Sequence, residues 1–131
     1  MIVLDTHIWL WWINGTPGKL SAHLIERIEN EEEVFVSAIS CFEIEWLSRH
    51  GRIELDVDLD DWFSAAFLDA GVACLPVTAD IARLAASLPE HHKDPQDRII
   101  IATSIIHNAH LISADRQFSQ YDQIAHFLIQ P

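Results

Sequence analysis

Four acidic residues, Asp5, Glu43, Asp97 and Asp115, stand at the end of a strand-like apolar run or near the start of a helix-like one. Asp5 follows Ile2-Val3-Leu4, and Asp115 follows Leu111-Ile112-Ser113. Glu43 falls in the expected first turn of the helix after Val34 to Ser37, and Asp97 in the first turn of the helix that Pro95 opens. If the four meet, carboxylate pairs about 4 Å apart repel by about 4 kcal/mol each at an effective dielectric near 20. Protons or a cation must offset that. An all-oxygen cluster suits Mg²⁺ or Mn²⁺, which keep several waters and share coordination with a phosphate. Such an ion activates water and neutralises charge on a leaving oxygen, so the chemistry implied is phosphodiester hydrolysis. Nitrogen and sulfur ligands are too few nearby to favour zinc.

Each acid also has a plainer use. Asp is a preferred helix N-cap, Ser40-x-x-Glu43 has the spacing of a capping box, and Asp94-Pro95-Gln96-Asp97 reads as a cap, a first-turn Pro and an acid at the helix dipole. Glu43 carries further weight because its helical neighbours Trp46 and Leu47 are apolar, whereas Glu45 sits four residues before Arg49. That pattern turns Glu43 inward, where a carboxylate needs a partner.

The elements that must position these acids follow from periodicity. Strands are expected at Ile2 to Leu4, Val34 to Ser37, Val72 to Val77, Leu111 to Ser113 and Ile124 to Leu128. Helices are expected at Ser21 to Asn30, at Ser40 to His50 with Gly51 as the stop, over Leu59 to Ala70, and from a Thr78 cap to Leu88. Strands alternating with helices give an α/β fold with a parallel sheet covered on both faces, and such sheets build sites at the carboxyl ends of their strands.

The chain has 131 residues, half of them hydrophobic, which suits one domain spanning 1–131. No run approaches the roughly 18 apolar residues of a membrane span, and the first residues lack a basic leader, so a soluble, cytoplasmic protein is expected. Cys41 and Cys74 lie in apolar surroundings without C-x-x-C spacing and read as buried free thiols. Twenty acidic residues against eight basic ones give a net charge of −12, which disfavours a non-specific nucleic-acid binder with a basic surface and suits a cationic partner. A bound metal bridges an acidic protein to an acidic substrate, so a nuclease stays open. Arg98 is expected to pair with a neighbouring carboxylate, and His7, His91 and His92 are read as structural or solvated. Ile8-Trp9-Leu10-Trp11-Trp12-Ile13 is apolar around the whole helix, and its surplus beyond core filling reads as a partner surface.

Five segments in order give the chain a resemblance to PIN-domain ribonucleases, and more narrowly to VapC-type toxins. They are Leu4-Asp5-Thr6-His7 with Trp9, Ile39-Ser40-x-x-Glu43-Ile44 running to Gly51-Arg52-Ile53, Leu75-Pro76-Val77-Thr78, His92-x-Asp94-Pro95-x-Asp97-Arg98-Ile99-Ile100, and Ser113-Ala114-Asp115. The resemblance implies a three-layer α/β/α sandwich, an Mg²⁺ or Mn²⁺ site, and endonucleolytic cleavage of RNA. By motif position it makes Asp5, Glu43, Asp97 and Asp115 the acidic quartet, with Asp94 either a supporting acid or only a cap. It also implies a homodimer and a cognate antitoxin, often reaching the acidic site through a basic segment. Two other readings stay open: a PIN nuclease of RNA processing or DNA cleavage, and a non-catalytic module whose acids dock a basic protein.

Overall fold

The computed structural model describes residues 1–131. Five parallel strands, β1 (Ile2–Leu4), β2 (Val34–Ser37), β3 (Ala73–Leu75), β4 (His110–Ile112) and β5 (Leu128–Ile129), form one sheet in the order β3-β2-β1-β4-β5. Successive crossovers from β1 run outward through β2 to β3, after which the chain returns to the other side of β1 for β4 and β5. The order therefore reverses between β1 and β4, and the connections leaving the carboxyl ends of these two strands part to opposite sides. That crevice is where open α/β sheets place ligands.

Alternation along β1 divides the core. Ile2 and Leu4 face one layer, with Ile8, Trp9 and Leu10 of α1 (Thr6–Asn14), Leu24 and Ile28 of α2 (Ala22–Glu29), and Trp62 of α4 (Leu59–Ser64). Val3 faces the other layer, with Ile100 and Ile101 of α6 (Pro95–Ile106), Phe118 and Tyr121. The remaining helices, α3 (Ala38–Arg49) and α5 (Ala79–Ser87), complete the covering: Ile44 of α3 packs into the first layer, Ile39 and Leu84 against the second. The architecture is the expected three-layer α/β/α sandwich. No helix is long and apolar enough to cross a membrane.

Local signals set most boundaries. Thr78 Oγ1 accepts from the Ile81 amide at the start of α5, and Asp94 accepts from the Gln96 amide at 2.9 Å ahead of Pro95 in α6. Gly15 ends α1 in the left-handed region at φ 59°, where a glycine avoids the Cβ cost. The amphipathic stretch after Leu59 is helical as expected, but continues beyond α4 as a wider π turn over Ala65–Asp69.

Three boundaries differ from the sequence reading. Helix α3 begins at Ala38 with Ser37 as its cap, whose hydroxyl accepts from the Ile39 amide, so Ser40 is not the first residue of a capping box. Ser40 is instead buried, and its hydroxyl accepts from Thr6 Oγ1 at 2.9 Å, tying α3 to α1. Glu43 consequently lies in the second turn of α3. Strand β3 is shorter than Val72 to Val77, and Ile124 falls in a 3₁₀ turn, with β5 reduced to Leu128–Ile129.

One expectation about apolar residues is also corrected. Cys41 is half-buried and Cys74 exposed on edge strand β3, so the thiols are free but not both buried. Burial, followed by the neighbouring Cys74, pushes the Cys41 thiol up to about 12. Of the surplus apolar residues of α1, Trp11, Trp12 and Ile13 are half-buried against the first layer, which covers part of their surface and leaves the rest to solvent. Trp9 is fully buried, with the rings of Trp62 and Phe67 centred 5.0 and 5.4 Å away, and Trp62 Nε1 donates to Asn14 Oδ1 at 2.7 Å. The aromatic residues that remain exposed are Phe42 and Trp46, on α3.

Candidate functional site

At the carboxyl edge of β1 and β4 an acidic cleft of about 320 Å³ opens, lined by Asp5, Glu43, Asp94, Asp97 and Asp115 together with His7, Trp11 and Ala114. All four acids expected from their positions along the chain meet here. Asp5 is the deepest, at 6% exposure. It leaves β1 and caps α1, one oxygen accepting from the Thr6 amide at 2.7 Å and the other from Ser113 Oγ at 2.7 Å. The same Ser113 oxygen accepts from the Asp115 amide at 3.0 Å. One serine after β4 thereby joins the acid of β1 to the acid of β4, across the point where the strand order reverses. Asp115 in turn caps a 3₁₀ turn through the Gln117 amide.

Glu43 arrives from α3 and Asp97 from the first turn of α6. Glu43 faces the cleft as expected, though not for the reason expected, because Trp46 is 41% exposed rather than part of the core. The path of α3 over the end of the sheet, pinned by the Thr6–Ser40 hydrogen bond, directs Glu43 inward. Glu45 pairs with Arg49 on the outer side.

The electrostatics register this crowding. Burial pushes Asp97 up to about 8, with Asp5, Asp94, Glu43 and Asp115 adding repulsion in that order. Asp5 is raised, first by burial, against the lowering effect of the Ser113 and Thr6 hydrogen bonds. Glu43 is raised by burial, with Asp5 and Asp94 also contributing. Asp94 therefore has two roles in this geometry: it caps α6, and its charge bears on both Glu43 and Asp97. A donor set of carboxylate oxygens that resist simultaneous ionisation fits a hard divalent cation, which supplies the missing positive charge.

Two residues set aside in the sequence stand at or behind this cleft. His92 Nε2 lies 2.8 Å from Asp115 Oδ2 and 3.3 Å from Asp97 Oδ2, and its side chain is only 12% exposed. The histidine, Asp97 and Asp115 present one ligand atom each within 4.8 Å of one another, so one nitrogen does join the oxygens. The signal was its place in His92-x-Asp94-Pro95-x-Asp97, which puts it just ahead of the helix that carries Asp97. Arg98 is structural as expected, but its partners are not carboxylates. Its guanidinium is buried and donates to the backbone carbonyls of Ala85, Ala86, Leu88, Pro89 and His92, at 2.6 to 3.2 Å. The loop from Leu88 to Asp94 is wrapped around this side chain, and the loop presents His92 to the acids. His7 is exposed at the rim of the cleft, while His91 faces away to stack edge-on against Tyr121.

Ser113→Ala should weaken Mn²⁺ binding by about 10- to 100-fold, because Asp5 loses the hydrogen bond that orients it. Isothermal titration at fixed pH measures this. An unchanged affinity would mean that the Thr6 amide alone holds the Asp5 carboxylate in place.

Comparisons with known proteins agree with this architecture. Across 121 residues the chain is 35% identical to Ribonuclease VapC22 of Mycobacterium tuberculosis (strain ATCC 25618 / H37Rv), covering 92% of this chain and 91% of that one. Similar folds occur in the crystal structure of VapBC2 from Rickettsia felis bound to a promoter DNA fragment, with a TM-score of 0.74 and 16% identity over 99% of this chain and 98% of that one. DNA-bound VapBC from Salmonella typhimurium gives 0.72 and 17% over 98% and 96%. Identities this low speak for the fold alone. The PIN domain family model matches residues 2–124, which span every acid of the cleft, and the chain belongs to the PIN domain family.

Proposed function

We propose that the protein is a metal-dependent endoribonuclease, the toxin of a VapC-type toxin–antitoxin pair, with Asp5, Glu43, Asp97 and Asp115 as its metal-binding and catalytic acids. The observation that carries this reading is the convergence of those acids at the break in strand order, with Asp97 pushed up to about 8 by burial and by the other carboxyls. Caps alone do not need to converge. The ribonuclease name of the Mycobacterium relative supports RNA as the substrate, and the toxin–antitoxin complexes among the structural neighbours support an antitoxin partner. A homodimer is part of the same reading.

Mg²⁺ or Mn²⁺, when bound, lowers the pKa of water and screens the phosphate that it attacks. The chain's own residues supply the rest. Asp5 is fixed in orientation by Ser113 and the Thr6 amide, so its free lone pairs point one way. Glu43 from α3 and Asp97 from the first turn of α6 add their carboxyls to the same cleft. Asp115 is oriented by His92, whose Nε2 lies 2.8 Å from Asp115 Oδ2.

The reading is tested by incubating purified, antitoxin-free protein with single-stranded RNA and Mg²⁺ or Mn²⁺. Cleavage is expected, with loss on adding EDTA and in Asp5→Asn. Activity indifferent to both would overturn the mechanism. A protein that neither cleaves RNA nor gains thermal stability with Mn²⁺ would instead be a non-catalytic acidic docking module.

Metal binding should also depend on pH. Asp97 is protonated below about 8 in the metal-free state, and a metal must displace that proton. The apparent Kd for Mn²⁺ should therefore fall about tenfold per pH unit from roughly pH 6 towards 8 and then level off. Titration across that range by calorimetry checks it, and a flat profile would show that the metal displaces no proton from Asp97.

A further inference from the structure

Beside the acidic cleft runs a second groove of about 430 Å³ that shares His7, Glu43 and Asp94 with it. Phe42 and Trp46 of α3 form one wall, and Pro95 and Gln96 at the start of α6 form the other. Phe42 is 55% exposed and Trp46 41%, a high exposure for two aromatics one helical turn apart. Trp46 is nevertheless not loose. His50 stacks on it with ring centres 3.9 Å apart and planes within 18°, and the Arg52 guanidinium lies 5.9 Å from its centroid. Neither His50 nor Arg52 lines the groove, so both brace the indole from outside it. In a chain with only eight Lys and Arg, Arg52 makes no ion pair with a carboxylate. Its charge is available to an incoming anion.

Glu43 and Trp46 are three residues apart on one helix, so their side chains leave the same face with Cβ atoms roughly 5–6 Å apart. A nucleotide bound with its phosphate at the acids thus finds an indole within reach of a neighbouring base. We propose that this groove seats one unpaired nucleobase of the RNA substrate against Trp46, flanked by Phe42, with Arg52 facing the adjoining backbone phosphate. The inference rests on the ribonuclease reading above and assigns α3 a second task, that of holding substrate beside the scissile bond. Three observations favour a base over an apolar peptide: the groove is continuous with the phosphate-handling cleft, its shared floor is polar, and an unpaired cation adjoins its aromatic wall. Bases stacked inside a duplex cannot enter it, so the substrate at this point is single-stranded.

The experiment compares steady-state cleavage of a single-stranded RNA oligonucleotide by the wild type, Trp46→Ala, Trp46→Phe and Arg52→Gln. The same oligonucleotide is then tested with one abasic nucleotide moved stepwise along it. Trp46→Ala should raise KM by about 5- to 150-fold, the range of base-on-aromatic stacking, and Trp46→Phe should recover most of it. One abasic position near the cut should cost the wild type a similar factor yet cost Trp46→Ala little, since the two changes remove the same contact. Arg52→Gln should reduce the salt dependence of binding by about one charge. Thermal melts confirm that each variant is folded; should Trp46→Ala not fold, the abasic scan on wild type and Trp46→Phe, together with Phe42→Ala, decides. A KM within twofold of wild type for Trp46→Ala, or abasic penalties that add independently to it at every position, overturns the proposal. Loss of antitoxin binding with KM unchanged also overturns it and assigns the groove to a protein partner. Absence of cleavage by the wild type with either metal removes the ribonuclease reading and this inference with it, a result distinct from failure of the groove variants alone.

Discussion

Asp97→Asn should abolish RNA cleavage while making the metal-free protein more stable. Both effects have one cause. The Asp97 carboxyl is pushed up to about 8 because burial and four neighbouring carboxyls oppose its charge, so the native fold tolerates it only as the neutral acid or beside a cation. Asparagine keeps the shape and removes the charge. Cleavage should fall on the order of 1,000-fold, since one anionic ligand and its orienting effect are lost together. The sign of the stability effect follows from proton counting. Between the ordinary 3.8 and about 8, the native state binds the Asp97 proton and the unfolded state releases it, so stability of the metal-free protein declines as pH rises through that window. At pH 8 the variant should therefore melt at least a few degrees above wild type. Saturating Mn²⁺ should reverse the ranking, because only the wild type gains the full binding energy. Differential scanning calorimetry with and without Mn²⁺ reads this crossing. A variant less stable than wild type in the absence of metal would mean that Asp97 is held by a partner other than a cation.

Arg98→Met should cost the fold about 3–5 kcal/mol, the loss expected when a buried charged group with a full set of partners is removed. The guanidinium donates to five backbone carbonyls from Ala85 to His92, and methionine would leave those oxygens without donors in a buried position. The melting temperature should fall by roughly 10–20 °C for a domain of this size. Arg98→Lys should recover only a minor part, because an ammonium has three donors and no planar fork to reach carbonyls on several sides. The loss should extend to the acidic cleft, since the Leu88 to Asp94 loop presents His92 to Asp97 and Asp115. Metal affinity in the folded fraction should thus fall along with stability. A melting temperature lowered by less than about 3 °C would show that the loop holds its shape through other contacts.

The cleft and the Arg98 core were legible in the sequence to different depths. Asp5 and Asp115 are placed by the strands that precede them, and Asp97 by the Asp94-Pro95 cap, so local chemistry alone brings three of the acids to strand ends or helix starts. Glu43 was found by the same rule although the helix starts earlier than its Ser40-x-x-Glu43 spacing implies. Ser37 and Ser40 are both competent caps, and only the tertiary contact of Ser40 with Thr6 removes it from the competition. Arg98 next to Asp97 reads as an ion pair along the chain, but on a helix adjacent residues point about 100° apart, which sends Arg98 to the loop and Asp97 to the cleft.

Local sequence determined which residues begin and end elements, because caps, proline and the period of apolar residues act within a few positions. It also determined the total of negative charge. What only the tertiary structure decided is where the strand order reverses. Four helix or strand termini become one site only when β1 and β4 lie side by side with their connections leaving in opposite directions, a choice made by packing of the whole sheet. The same holds for exposure. Trp9 and Trp46 both lie on helices that directly follow a strand, yet the first meets the α4 aromatics and is fully buried, while the second, on α3, remains open beside the acids. Burial depends on which surfaces meet, and that is a property of the fold as a whole.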